Sequence, residues 1–439
     1  MINLFEVFDH ASRELYMSLK HAGNNHPTVV IEDDGFLPED CITPYLHFSR
    51  FQPAPHDKAK FFNEIKRPQY WEVEGNNERA EINDKGVKRA NIIYKENYKL
   101  RIVQKVEWLS GNGTVRFIDH YNQYGFKYAQ TVNNVDGSPI FKTFFDQQER
   151  VVIYENYITS DVVLTIEGQE QVFSNKNEFI RYFIEQLDID TSKIIFNSLG
   201  KPLLSIYNID KKIDAYLFWQ EHMGTEIPGN MSTILSAGGP IDFKVVVPDK
   251  TEYEKILKHT NKQYHHKIHV SGYIYHYHKQ NTHDKNVLTM TNSDQLGNIE
   301  TTIQACPEYM FHIAAITEMS SKLMDLGRYE NVKLYPSADM KTARALYDKA
   351  NIYLDINYGG EIVNAVRSAF DYELLIIGYH ETAHNKQYTA PQLLFNTTDA
   401  DLVHKYIQMS VNDKQQLLLL QKQHAHAVSV EEFNHALNL

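Results

Sequence analysis

The chain has 439 residues, 42% hydrophobic and 23% charged, enough to bury two or three domain cores without disulfide staples. Its formal net charge of −12 argues against general nucleic-acid binding, which needs basic grooves to neutralise phosphates. Cys41 and Cys306 offer neither a metal-ligand spacing nor a disulfide framework, which suits a reducing cytoplasm. No run approaches the ~20 apolar residues of a membrane span, and the N-terminal MINLFEVFDH is not patterned as a secretory signal.

Residues 1–50 open with an amphipathic helix that places Leu4, Phe5, Phe8, Leu15 and Leu19 near one face. His26-Pro27 ends it, and a buried strand follows over 28–32 with a turn at Asp33-Asp34-Gly35. Residues 51–173 change character. Runs such as RANIIYKENYKLRIVQKVEWL, TVRFIDHYNQYGFKYAQTV and RVVIYENYI alternate apolar and polar residues. They are separated by turn signals such as Asp84-Lys85-Gly86 and Asp136-Gly137. This spacing predicts an antiparallel meander whose edges need covering. From Ser174 helices alternate with short apolar strands, among them strands over 193–197, 215–219, 243–247, 270–277, 287–291, 311–316, 352–354 and 374–377. Three helices close the chain. The expected fold class is α/β, with two doubly wound Rossmann-like domains and an inserted antiparallel β-meander. The first domain comprises 1–50 and 174–245, the insertion 51–173 and the second domain 246–439. Ligands of such folds sit at the carboxyl ends of the strands, here facing a cleft between the domains.

The segment from Ala350 to His384 is strand, loop, helix, strand, loop, and resembles the donor-binding unit of two-domain sugar-nucleotide glycosyltransferases. Retaining enzymes of that architecture commonly carry two Glu separated by seven residues across this loop and helix. Laid on NYGGEIVNAV, those places fall at Ile356 and Asn364, so both carboxylates are missing. Glu361 lies between them but projects from a different face of the helix than Asn364. After the first strand of the second domain, where cations would hold a diphosphate, Ser293 and Asp294 stand instead. The expectation is a vestigial donor site. Other constellations carry less. His265 and His269 have an i, i+4 spacing, but no Glu base lies between them, and His276 and His278 would share one strand face, so no metal is expected. Glu32-Asp33-Asp34 and Gly238-Gly239-Pro240 read as turns.

Across HPTVVIEDDGFLPED (26–40), NIIYKENYKLRIVQKVEW (91–108), FHIAAITEMSSKLMDLG (311–327) and IYLDINYGGEIVNAVRSAF (352–370), the chain resembles the non-catalytic, stabilising subunits of the two-component O-linked N-acetylglucosamine transferases of the accessory Sec system. The resemblance implies the glycosyltransferase GT-B architecture and a hetero-tetramer with a catalytic partner docked through β-sheet insertions. It also implies that the partner uses UDP-N-acetylglucosamine to place the first sugar on Ser and Thr of a serine-rich repeat adhesin. No cofactor is then expected of this chain itself. Its location would be cytoplasmic or peripheral at the inner face of the membrane, before export of the adhesin. The vestigial donor site is expected to bind the acceptor polypeptide through Asn292, Ser293, Asn357, Tyr358 and Asn364, uncharged groups suited to a serine-rich chain. Partner docking is expected at Trp71, Trp108, Phe117, Tyr121 and Phe144. The rival readings are a stand-alone glycosyltransferase with an atypical donor site and a scaffold that only solubilises the catalytic partner.

Overall fold

Short buried strands organise the chain into three sheets. The structure, a computed structural model, describes residues 1–439 except Asn97, Lys99, Leu100 and Val363. In chain order the strands are β1–β3 (Ile2–Phe5, Thr28–Val30, Cys41–Ile42), then β4–β13 (Glu72–Gly75, Ala80–Asp84, Val87–Tyr94, Val103–Leu109, Val115–Tyr121, Lys127–Asn133, Pro139–Phe145, Val151–Asn156, Val162–Ile166, Gln169–Phe173). They continue as β14–β17 (Lys193–Phe196, Ile213–Phe218, Ile241–Val247, Ile268–Val270) and β18–β23 (Asn286–Thr291, Met310–Ala315, Val332–Tyr335, Ile352–Asp355, Leu375–Tyr379, Leu394–Phe395).

The first sheet runs β17-β16-β15-β14-β1-β2-β3 with parallel pairings throughout, such as Ile2 opposite Ile194 and Asn3 opposite Thr28. The third sheet is likewise parallel, in the order β20-β19-β18-β21-β22-β23. Strand order reverses direction between β1 and β14 in one and between β18 and β21 in the other, the switch points at which such folds form crevices. Several helices start where a polar side chain satisfies one of their first free N–H groups. Asp9 accepts from Ser12 N at 2.9 Å ahead of His10–His21, and Asn175 accepts from Glu178 N at 3.0 Å ahead of Lys176–Gln186. The latter helix buries Phe179, Ile180, Phe183 and Ile184 at helical spacing against the first sheet.

The antiparallel meander β4–β13 lies between β3 and β14 in sequence. It has two cores. Ile82, Ile92, Val103, Val106 and Tyr121 form a small cluster of their own, whereas Ala129, Phe144, Ile153, Val162 and Leu164 join the core of the first Rossmann-like sheet. The seam between meander and sheet is specific. Tyr45 stacks on Phe144 with ring centroids 3.8 Å apart, and Tyr128 donates to the Asp33 carbonyl at 3.0 Å. Gly35 has φ +82°, and a Cβ there would lie 2.7 Å from the Tyr121 carbonyl, so only glycine lets the turn approach the meander.

Three expectations from sequence are corrected. Leu4 and Phe5 belong to the central strand β1, and the helix begins only at His10. The boundary expected between 245 and 246 lies later, because β16 and β17 pair within the first sheet. The compact units are Met1–Ser271 with His435–Leu439, and Gly272–Asn434. The strand expected over 270–277 ends at Val270, so His276 and His278 share no strand face. The run from 89 to 109 supplies parts of two antiparallel strands, β6 and β7, as a meander requires, and Asn97, Lys99 and Leu100 within it lie outside the described residues.

Candidate functional site at the switch point of the third sheet

Parallel pairing of β18 with β21 brings two loops together at their carboxyl ends, residues 292–298 and 356–361. The loops are tied by backbone. Leu296 and Asn357 form an isolated antiparallel bridge, Tyr358 N donates to Gln295 O at 3.0 Å, and Gly297 N donates to Ile356 O at 2.8 Å. Asn357 is buried, at 3% exposure, and its amide is fully engaged. It accepts from Thr291 Oγ1 at 3.0 Å and from Gly359 N at 3.0 Å, and donates to Asn292 Oδ1 at 3.1 Å. Gly359 is packed so tightly that a Cβ would lie 2.1 Å from Asn292 Oδ1.

The chemistry of a donor site is absent from these positions. Ile356 is a buried core residue, and Asn364 caps the helix Ala365–Asp371 with φ 54°. Glu361 does not face outward as a catalytic carboxylate. Its Oε1 accepts from Val366 N at 3.0 Å, so an anion already occupies one of the free N–H groups at the start of that helix. Asp294 faces Ser320 Oγ at 3.5 Å, with a carboxylate where a cation would hold a diphosphate.

A pair that sequence spacing did not reveal closes the site from below. Asp355, 1% exposed at the end of β21, accepts from His384 Nδ1 at 2.5 Å and from His384 N at 2.8 Å. His384 Nε2 lies 2.7 Å from the Gly359 carbonyl. The Asp355 hydrogen bond holds the imidazole up at about 9, although burial alone would lower it. Asp355 and His384 lie 29 residues apart, and only the pairing of β21 with β22 makes them neighbours.

Of the expected acceptor-contact residues, Asn292, Tyr358 and Asn364 are exposed and Ser293 is half-buried. Asn357 is corrected to an organiser of the loops, since its polar atoms are used inside the protein. Of the expected docking aromatics, Tyr121 and Phe144 are corrected to core residues, at 7% and 2% exposure. They pack in different cores, Tyr121 in the meander's own cluster and Phe144 in that of the first Rossmann-like sheet. Trp71 is half-buried beside the Arg89 guanidinium, Trp108 donates to Asp119 Oδ2 at 2.7 Å, and Phe117 remains 40% exposed. His265 sits in a 3-10 turn with Nε2 3.1 Å from the Thr260 carbonyl, and among the described residues no three His, Cys, Asp or Glu gather as a metal-ligand set.

The first sheet's switch point is built differently. Glu6 follows β1 and accepts from Ser198 Oγ at 2.7 Å and from Lys201 Nζ at 3.1 Å. Lys201 also lies 3.2 Å from Glu32, and Lys176 bridges Glu32 at 2.7 Å and the meander's Glu155 at 3.0 Å. Burial would raise Glu32, but Lys176 and Lys201 hold it below the usual range.

Two doubly wound parallel sheets with a polar loop pair at a switch point define the scaffold of a GT-B glycosyltransferase. Models of the GtfB N-terminal, middle and third domains match residues 2–48, 71–174 and 176–259, and the GftB/GlyA-F C-terminal domain matches 287–423. The UDP-N-acetylglucosamine--peptide N-acetylglucosaminyltransferase stabilizing protein GtfB of Streptococcus pneumoniae serotype 4 is 38% identical over 99% of this chain and 98% of its own length. Its namesake from Streptococcus gordonii is 36% identical over 100% and 98%. A chain of the crystal structure of the GtfA/B complex bound to UDP and GlcNAc has a TM-score of 0.91 at 35% identity, covering 100% of this chain and 99% of that one. The chain belongs to this family of glycosyltransferase-stabilizing proteins. Among the described residues no helix is long and apolar enough to cross a membrane.

Proposed function

We propose that the chain is the non-catalytic, stabilising and acceptor-binding subunit of a protein O-linked N-acetylglucosamine transferase. A catalytic partner would bind UDP-N-acetylglucosamine and place the first sugar on Ser and Thr of a serine-rich repeat adhesin. The pair would act in the cytoplasm or at the inner membrane face. The observation that carries this reading is the state of the 356–364 segment. Its two carboxylate positions are Ile356 and Asn364, and its remaining acid, Glu361, caps a helix. A departing nucleotide diphosphate needs cationic or N–H stabilisation, and these groups supply little of either. Asn292, Ser293, Tyr358 and Asn364 instead offer uncharged hydrogen-bonding groups around a fixed loop pair, which suits an extended hydroxyl-rich polypeptide. On the meander, Phe117 is the open aromatic we assign to partner docking, with Trp108 opposite it on β7 and Trp71 further along the sheet.

The test is sugar transfer from labelled UDP-N-acetylglucosamine to a serine-rich acceptor, with and without the catalytic partner, together with acceptor binding by the lone protein. The expected result is no transfer alone, measurable acceptor binding, and strong stimulation of the partner. Transfer by the lone protein would establish the stand-alone enzyme instead, and stimulation without acceptor binding would leave only a solubilising scaffold.

A further inference from the structure

The ring of His384 lies between two groups that can only accept. Asp355 Oδ1 is 2.5 Å from Nδ1, and the Gly359 carbonyl is 2.7 Å from Nε2. Satisfying both requires a proton on each nitrogen, that is, an imidazolium. Asp355 is itself held, because its Oδ2 accepts from His384 N at 2.8 Å and its carbonyl accepts from Thr382 Oγ1 at 2.7 Å. The charged groups facing the ring are Asp355 from β21 and Glu361 from the loop, both anionic, so the imidazolium has no cationic neighbour among them. The Gly359 carbonyl is drawn inward, Gly359 seats on Asn292, and the preceding Tyr358 is left 50% exposed.

We propose that His384 is a positioning residue, a doubly protonated latch that pins the 356–361 loop across the switch point and thereby presents Tyr358. The latch needs no ligand. Its consequence for acceptor binding rests on the function proposed above. Burial of the ring, at 14% side-chain exposure, keeps water from replacing either hydrogen bond cheaply. The ring charge agrees with the upward shift to about 9. A neutral ring would have to surrender one of its two acceptors, and the Gly359 carbonyl, the weaker of them, would be the one released.

Two measurements on the full chain test this. In nitrogen NMR of the histidine rings, His384 should show both nitrogens protonated at pH 7 and titrate near 9. A neutral ring at pH 7 overturns the proposal. In hydrogen exchange, the Tyr358 and Gly359 amides should lose about tenfold protection in His384→Gln, while amides within β21 keep theirs. Raising the pH of the unsubstituted protein from 7 to 10 should lower protection at the same two amides, after correction for intrinsic exchange, and should have little further effect in His384→Gln. Unchanged protection in both cases removes the latch. This second arm does not depend on the variant folding well. Acceptor binding separates the two readings. If the loop loosens and binding falls severalfold, latch and acceptor site stand together. If the loop loosens and binding is unchanged, the latch stands and the acceptor site lies elsewhere.

Discussion

The two switch points are built of opposite materials. In the first sheet the carboxyl ends of β1, β2 and β14 carry Glu6, Glu32 and Lys201, and Lys176, the first residue of the helix after β13, ties Glu32 to Glu155 of the meander, in a network of ion pairs of 2.7–3.2 Å. In the third sheet the carboxyl ends of β18 and β21 are tied by amides and carbonyls, with one buried ion pair beneath. The charged network joins two separately patterned pieces of chain and fixes how the insertion sits on its sheet. The loop pair, held by neutral hydrogen bonds, leaves Asn292, Ser293, Tyr358 and Asn364 as uncharged donors and acceptors. A network of charges is costly to break because each partner strands a desolvated ion. A lattice of neutral hydrogen bonds fails more gently.

The sharpest way to break the contrast is Lys176→Met. It leaves Glu155, 3% exposed, without its ammonium, and should destabilise the first unit by about 3–5 kcal/mol in denaturant unfolding. An unchanged midpoint would mean that the network contributes no net stability. Acid should act on the same network. Glu32 is held low, so its contribution is full above the ordinary glutamate range and fades as pH falls through its lowered value. In the second unit, Gly378→Ala places a Cβ 2.6 Å from the Asp355 carbonyl, a backbone atom that cannot swing aside. The expected cost is about 2 kcal/mol, with loss of order at the loop. Alkaline pH gives a smaller loss, on the other side of neutrality. His384 is raised to about 9, so its contribution is complete below the ordinary histidine range and disappears as pH rises through 9. After allowance for solvent screening this is about 1–2 kcal/mol, and the loss should vanish in His384→Gln. The smallest stability effect belongs to Phe117→Ala. Stability should stay within about 0.5 kcal/mol while association with the catalytic partner, followed by sedimentation, weakens. Undiminished association would move docking off this face.

The sequence made the architecture legible where patterning was long. The alternation of the meander, the apolar runs of the parallel strands and the polar residues ahead of helices all have local causes. It misled where a short buried strand is followed by a helix. Leu4, Phe5, Leu15 and Leu19 are all buried, and a helical period fits them although the first two are on β1. The boundary near 271 was hidden because β17 has only three residues and a helix and a 3-10 turn separate it from its partner β16. For the site, the missing carboxylates at Ile356 and Asn364 could be read from the chain. The engagement of Asn357 with Thr291 and the Asp355–His384 pair depend on parallel pairing across 29 or more residues and leave no local signal, whereas Glu361 caps Val366 only five residues on. Tyr121 and Phe144 could not be sorted from Phe117, because both meander faces carry aromatics and alternation does not say where along a face the cover ends; Phe117 and Tyr121 lie on one strand yet differ in exposure.

The placement of the meander also governs how the protein is made. Strand β1 is finished only when β14 lies beside it, and Glu6 N then meets Asn197, 191 residues further along the chain. At roughly 5–20 residues per second, synthesis keeps that partner waiting on the order of 10–40 s. Throughout that interval Ile2, Leu4 and Phe5 form an apolar edge with one side unpaired, while β2, arriving first, can cover only the other. A strand that is inaccessible in the finished molecule is therefore the segment of the nascent chain most in need of protection. Substitutions that slow translation of the insertion would lower the yield of folded protein without altering a single native contact.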